Sequence, residues 1–334
     1  MAVLDPVLLP KVWGGDALRA WHLPVAPGAR VGEAWMVADL RETAVSGAGG
    51  GAVQSPLHGA PGTLGTLLNA APRHWLGAGA AAAPEGFPLL VKLLDAREHL
   101  SVQVHPSPGA VAPGERVKHE CWLVLEAAPG AQLFLGLQDG IDRRALAEAT
   151  ARGTLPTLLR AVPAVVGECH LLPSGLVHAL GAGCVVAEVQ TASDTTFRLY
   201  DWTREYGRPE RAMHVERALA ACEPALRAIT QRFPDAGIGP LATTGAFRCE
   251  GVVLQGEVQR VGGARPGGPL VVLPVEGRVG VGVDGSTALW RSIVSAGIAL
   301  VAGNLLAPPV VDAVLTAIAR EEARRAAEKA KEDA

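Results

Sequence analysis

The 334-residue sequence predicts a mainly β protein built of antiparallel barrels or sandwiches. Three observations predict it. Short alternating or continuous apolar runs recur along most of the chain, as in GEAWMVADL (32–40), FPLLVKLLDA (87–96) and CWLVLEA (121–127). Glycine-bearing turns separate many of these runs. Helical periodicity is confined to a few stretches between or after them.

Residues 1–50 read as short strands and turns, and PGTLGTLLNAAPRHWLG (61–77) as a short helix and a loop. A Gly/Ala/Pro linker (77–86) leads into the 87–96 strand, whose largely apolar run predicts burial on both faces. LSVQVH (100–105), CWLVLEA, GAQLFLGL (130–137), ECHLLPSG (168–175), LVHALGAG (176–183), CVVAEVQ (184–190) and TTFRLYDW (195–202) are further strands. DRRALAEATARGTLPTLLRAV (142–162) has helical spacing with a Gly/Pro break, which predicts a small helical insertion at about 141–163. RPERAMHVERALAAC (208–222) reads as a helix. The strand pattern returns in FRCEGVVLQGEV (247–258), in the 269–285 run and in the 286–303 run. A first domain over 1–240 and a smaller one over 241–308 follow. Residues 309–334 are expected to be a C-terminal helix, with Val311, Val314, Leu315 and Ile318 as its apolar stripe and an exposed charged second half.

A formal charge of −3 implies neither a nucleic-acid-binding face nor an acidic tail. The hydrophobic fraction of 49% allows a sizeable core. The five cysteines, Cys121, Cys169, Cys184, Cys222 and Cys249, form no CxxC pair and fit a reducing interior. The N-terminus lacks a signal-peptide apolar core, and the uncharged run 292–311 is broken by Gly, Asn and Pro. A soluble cytoplasmic protein acting on a small molecule, with no membrane or nucleic-acid partner, is expected.

The chemistry concentrates between Leu100 and Trp122. Gln103 and His105 lie two apart on an alternating strand and so share a face. Lys118, Glu120 and Trp122 share a face of the next strand. A glutamate in an apolar strand is costly to bury without a cation or metal. With His178 from PSGLVHAL, the set offers two imidazoles, a carboxylate and an amide oxygen, a mixed site for a divalent metal. A lone strand histidine is more often a packed residue, and Lys118 could simply pair with Glu120. Beside a metal, Lys118 could instead move protons. Ser101 shares the Gln103 face, and Glu188 alternates with apolar residues in VVAEVQ. Arg198 and Arg204 suit a phosphate clamp, or else pair with Asp194, Asp201 or Glu205. Nucleophile-elbow, HExxH and phosphate-loop motifs are missing from the sequence.

FPLLVKLLDAREHLSVQVHP, KHECWLVLEAAPGA, PSGLVHALGAG and VVAEVQTASDTTFRLYDW, with VWGG (12–15) and GEAW (32–35), together resemble type I mannose-6-phosphate isomerases in their shorter bacterial form. The matching motifs run in order over about residues 5–220. The resemblance implies two cupin-type (jelly-roll) β-barrels and one Zn²⁺ per chain, held by Gln103, His105, Glu120 and His178. It implies interconversion of mannose 6-phosphate and fructose 6-phosphate through a cis-enediol. Arg198, Lys118 and Glu188 would be catalytic, and Arg204, Ser101 and Lys92 would bind substrate. A monomer or homodimer is expected. The sequence departs from the family pattern near ALVAGNLLAPP and in the added C-terminal segment. Two rival readings are a metal-dependent cupin oxygenase and a non-catalytic sugar-binding cupin.

Overall fold

β-branched and leucine-rich runs, cut by glycines that accept positive φ, dictate a sheet protein. The computed structural model describes residues 2–41, 52–76, 86–113, 115–254, 260–261, 270–277, 297–304 and 313–314. The chain divides into two compact units, residues 3–69 with 85–231, and residues 1–2, 70–84 and 232–334.

The strands of the first unit are β1 (Val7–Gly15), β2 (Val31–Val37), β3 (Asp39–Leu40), β4 (Val53–Gln54), β5 (Leu89–Ala96), β6 (Val102–Val104), β7 (Glu120–Ala127), β8 (Gln132–Leu137), β9 (Leu159–Pro163), β10 (Glu168–Leu172), β11 (His178–Leu180), β12 (Cys184–Thr191), β13 (Phe197–Tyr200) and β14 (Ile229–Arg232). They form a seven-stranded sheet ordered β1-β2-β5-β12-β7-β10-β14 and a five-stranded sheet ordered β13-β6-β11-β8-β9, with β3 and β4 as a separate pair. The pairings are antiparallel. Every residue of β5 is buried, the charged Lys92 and Asp95 included.

Two apolar layers bracket the five-stranded sheet. One lies between the sheets and joins Leu94, Trp122, Val124 and Val186 to Leu133, Leu135 and Leu180. The other packs Val102, Val104 and Phe197 against Leu146 and Ala218, which lie on helices α3 (Arg143–Arg152) and α5 (Val215–Ala221). The helices α1 (Leu64–Ala70), α2 (Pro72–Leu76) and α4 (Thr203–Tyr206) are short. Asp142 caps α3 by accepting from the Ala145 amide at 2.7 Å, and Gly153 ends it in the left-handed region.

The expected helical insertion closes early. α3 gives way to a 3-10 turn, and 159–163 is strand β9, because its backbone pairs with β8. The helix expected over 208–222 is restricted to α5. Arg208 is instead buried in a polar cluster, which fixes that part of the segment by side-chain contacts.

In the second unit, β15 (Gly237–Thr243), β16 (Phe247–Leu254), β18 (Leu270–Gly277) and β19 (Gly297–Asn304) form a four-stranded sheet ordered β15-β16-β19-β18, and β17 (Arg260–Val261) pairs with β20 (Ala313–Val314). The division falls at 231/232, at the last residue of β14, and keeps β15 whole beside its partner β16. Of the helix expected over 309–334, Ala313 and Val314 are strand, and the rest lies outside the described residues. No helix among the described residues is long and apolar enough to cross a membrane.

Candidate metal centre and charged pocket

Side chains two apart on a strand share a face, so register shows what enters the space between the sheets. On β12, Cys184 and Val186 join the apolar layer, while Glu188 and Gln190 continue the same face as polar groups. On β5, Ala96 and Leu94 are followed by Lys92; on β7, Val124 and Trp122 by Glu120; on β11, Leu180 by His178. The layer is therefore apolar toward one end and charged toward the other.

At the charged end, ligand atoms of His105, Glu120 and His178 lie within 4.8 Å of one another, and all three residues are buried. His105 Nε2 is 3.2 Å from Glu120 Oε2, and His178 Nε2 is 3.1 Å from Oε1. Each imidazole is oriented from behind: His105 Nδ1 is 2.9 Å from the Thr195 carbonyl, and His178 Nδ1 is 2.9 Å from the Leu176 carbonyl. A carbonyl only accepts, so each Nδ1 carries the proton and each Nε2 presents a lone pair to the centre. This outer contact is typical of metal-binding histidines. The His105 backbone carbonyl accepts from Gly175 at 2.9 Å; Gly175 has φ +91°, and a Cβ there would stand 3.2 Å from the Ala221 carbonyl.

Burial would raise the Glu120 carboxyl, but Lys118, His105 and His178 hold it well below the usual carboxylate range. Burial, then the Lys118 charge, pushes His105 down to about 3, so it is neutral at physiological pH. Lys118 Nζ is 2.7 Å from Glu120 Oε2. Even so, neither Glu120 oxygen nor His105 Nε2 has an aligned hydrogen bond. Buried, unsatisfied lone pairs of two imidazoles and a carboxylate fit a divalent metal.

The other expected residues surround this centre. Gln103 pairs in register with His178 on one side and Arg198 on the other. Its Nε2 is 3.3 Å from His178 Nε2, and its Oε1 accepts from Ser101 Oγ at 3.3 Å. The amide must turn over to present oxygen to a metal. Glu188 Oε1 accepts from the Trp122 indole at 2.9 Å, and Oε2 is 2.8 Å from Lys92 Nζ. Burial opposes the Lys92 charge, but Glu188 and Glu33 overcome it and raise its pKa. Arg198 is 6% exposed, donates from Nη1 to the Ala212 carbonyl at 2.6 Å, and keeps Nε without an aligned partner. Burial, helped by Arg211, lowers the Arg198 pKa to about 10, against the pull of Asp201.

Arg204 lies at the surface. It is exposed on α4, and the arginine whose charge reaches Arg198 is Arg211, which donates from Nε to Asp201 Oδ2 at 2.6 Å. The intervening segment has no period to signal this. Glu33 and Trp35 were also missed as site residues, although a glutamate in the apolar GEAW strand carries the same signal as Glu120. Elsewhere in the unit, a cavity of about 400 Å³ near β9, β10 and β14 contains none of these groups.

No family model matches the chain. It is 35% identical over 214 residues to a mannose-6-phosphate isomerase of Streptococcus mutans, covering 63% of each chain, so it spans less than two thirds of that relative. The crystal structure of the mannose 6-phosphate isomerase from Bacillus subtilis superposes with a TM-score of 0.70 at 24% identity, covering 90% of this chain and 98% of that one. The chain has the mannose-6-phosphate isomerase fold. A mannose 6-phosphate isomerase solved with zinc and yttrium superposes with a TM-score of 0.67 at 15% identity, over 93% of this chain and all of that one. The motif resemblance and the superpositions thus agree on a mainly β, antiparallel fold.

Proposed function

We propose that the protein is a metal-dependent aldose-ketose isomerase interconverting mannose 6-phosphate and fructose 6-phosphate. The observation that carries this reading is the buried His105–Glu120–His178 set, with each imidazole fixed from behind and Lys118, Lys92, Glu188 and Arg198 on the adjoining faces. The relative that carries zinc supports Zn²⁺ as the metal. His105, Glu120 and His178 would hold it, with Gln103 Oε1 after its amide turns. Once bound, it supplies electrophilic polarisation of the sugar's oxygens at C1 and C2.

The chain's own groups do the rest. Glu188 takes the carbon-bound proton and returns it to the neighbouring carbon, with Lys118 the second candidate for that role. The Trp122 indole at one oxygen and Lys92 at the other fix the Glu188 carboxylate. The Lys118 ammonium faces the enediolate and offsets its charge. Arg198, with Nε uncommitted and Nη1 tied to Ala212, anchors the phosphate. That contact supplies binding energy remote from the reacting carbons. Ser101 holds the Gln103 amide. Arg204 would enter the phosphate site only if α4 moved. The enzyme is placed in the cytoplasm, as a monomer or homodimer, with no nucleic-acid or membrane partner.

The test is an assay of metal-stripped protein on mannose 6-phosphate, following fructose 6-phosphate, before and after zinc is restored. Zinc-dependent turnover supports the reading; no turnover with any divalent metal in a folded, metal-bound protein overturns it. A second reading follows from Gln103. With its amide nitrogen toward His178, two histidines and one glutamate remain, the set used by Fe(II) oxygenases. Oxygen consumption by the iron-loaded protein would favour it.

A further inference from the structure

A line of alternating charges runs across the seven-stranded sheet beside the metal centre. Lys11 on β1 lies 3.2 Å from Glu33 Oε1. Glu33 Oε2 accepts from the Trp35 indole at 2.6 Å and is 4.0 Å from Lys92 Nζ. Lys92 is also 2.8 Å from Glu188 Oε2 and lies over the Trp35 ring, 5.2 Å from its centroid. Glu188 Oε1 takes the Trp122 indole proton at 2.9 Å. The register explains the line: Trp35 faces Lys92, Lys92 faces Glu188, and Glu188 faces Trp122 across β2, β5, β12 and β7. Glu33, Lys92 and Glu188 are all at most 7% exposed.

One ammonium therefore serves two buried carboxylates. Lys92 is closed on Glu188, and the second carboxylate, 4.0 Å away on its other side, shares the ammonium's charge and fixes where Nζ sits; without it, Lys92 would neutralise Glu188 alone and leave it a weaker base. Glu33 is fixed from the other side by Lys11 and Trp35. We propose that Glu33 is a positioning residue for the isomerisation, acting through Lys92 on Glu188. This rests on the isomerase reading for its catalytic consequence, but its structural part does not. Lys92 on β5 is the charged group paired with Glu188, Glu33 on β2 and Glu120 on β7 bear on Lys92 in turn, and Trp122 on β7 and then His170 on β10 follow Glu188 in register.

The test uses the zinc-loaded full chain with Glu33→Gln, Glu188→Gln and the double variant. Glu33→Gln should lower kcat roughly 10- to 100-fold with KM little changed, as expected of a misplaced catalytic group. The acid limb of the kcat/KM profile should move to lower pH, because Lys92 then serves Glu188 alone. In the Glu188→Gln background the same change should cost almost nothing further. A purely structural role predicts lower thermal stability with an unmoved acid limb, and additive losses in the double variant; either overturns the proposal. If Glu33→Gln fails to fold, Glu33→Asp keeps the charge but withdraws it from Lys92, and the same non-additivity is required. The ¹⁵N-indole signal of Trp122, assigned by its loss in Trp122→Phe, reads the Glu188 carboxylate without any turnover. A shift of that signal in Glu33→Gln, in a protein that proves inactive on mannose 6-phosphate, would support the coupling while refuting the isomerase reading. An unmoved signal would overturn the coupling itself.

Discussion

Replacing Lys92 with methionine isolates the energetics of the charged pocket. Methionine keeps most of the side-chain volume but leaves Glu188, whose side chain is 4% exposed, without its cation. It also removes one of two cations from Glu33, where Lys11 remains at 3.2 Å. Removing one partner of a buried ion pair costs about 3–5 kcal/mol. At about 2–4 °C per kcal/mol for a unit of this size, the melting temperature should fall by about 6–20 °C at pH 8. The pH dependence has a definite sign. In the parent protein Glu33 is held below its ordinary value, so its contribution is present above the unfolded carboxylate pKa and is lost as pH falls through the folded value. Without Lys92 the buried Glu188 charge is uncompensated, and acidification relieves that cost. The two stability curves must approach each other on acidification, so the deficit is smaller at pH 5 than at pH 8. Urea unfolding at both pH values measures it. A deficit equal at both, or larger at pH 5, would refute the assignment of Lys92 as the counter-ion that keeps Glu188 charged.

Four other outcomes are expected. His178→Ala should weaken zinc binding more than the roughly 10- to 100-fold typical of outer-shell changes, as read by competition with a chelating dye. Arg198→Ala should cut turnover about 100- to 1000-fold while zinc content stays at the parent level; unchanged turnover would remove its proposed role. Gly181→Ala should destabilise the first unit by at least about 1–3 kcal/mol, because a Cβ there would lie 1.8 Å from the Gln132 carbonyl oxygen, and a parent-like unfolding midpoint would contradict that close approach. All five cysteines are buried thiols, so a thiol reagent should label none in the native protein and all five in denaturant.

The strands and the metal-binding residues were legible because each depends on neighbours in sequence. Period-two patterning placed Gln103 beside His105, and one buried carboxylate in an apolar strand singled out Glu120. The same rule, applied to GEAW, reaches Glu33. Local pattern ends where a segment's partners lie far along the chain. Residues 159–163 look helical but pair with β8, and 208–214 lose their helix to contacts of Arg208 with Glu98 and the His99 carbonyl.

By itself the sequence determined the fold class, most strands of the first unit and the candidate metal-binding side chains, because hydrophobic period and the cost of burying charge act residue by residue. Only the tertiary structure decided which charges meet. Strand order set Lys92 between Glu33 and Glu188, the distant carbonyl of Thr195 fixed the proton on His105, and the turn into α4 left Arg204 exposed while Arg211 came near Arg198. Those contacts span tens of residues, and cross-strand register, which no local pattern encodes, sets them.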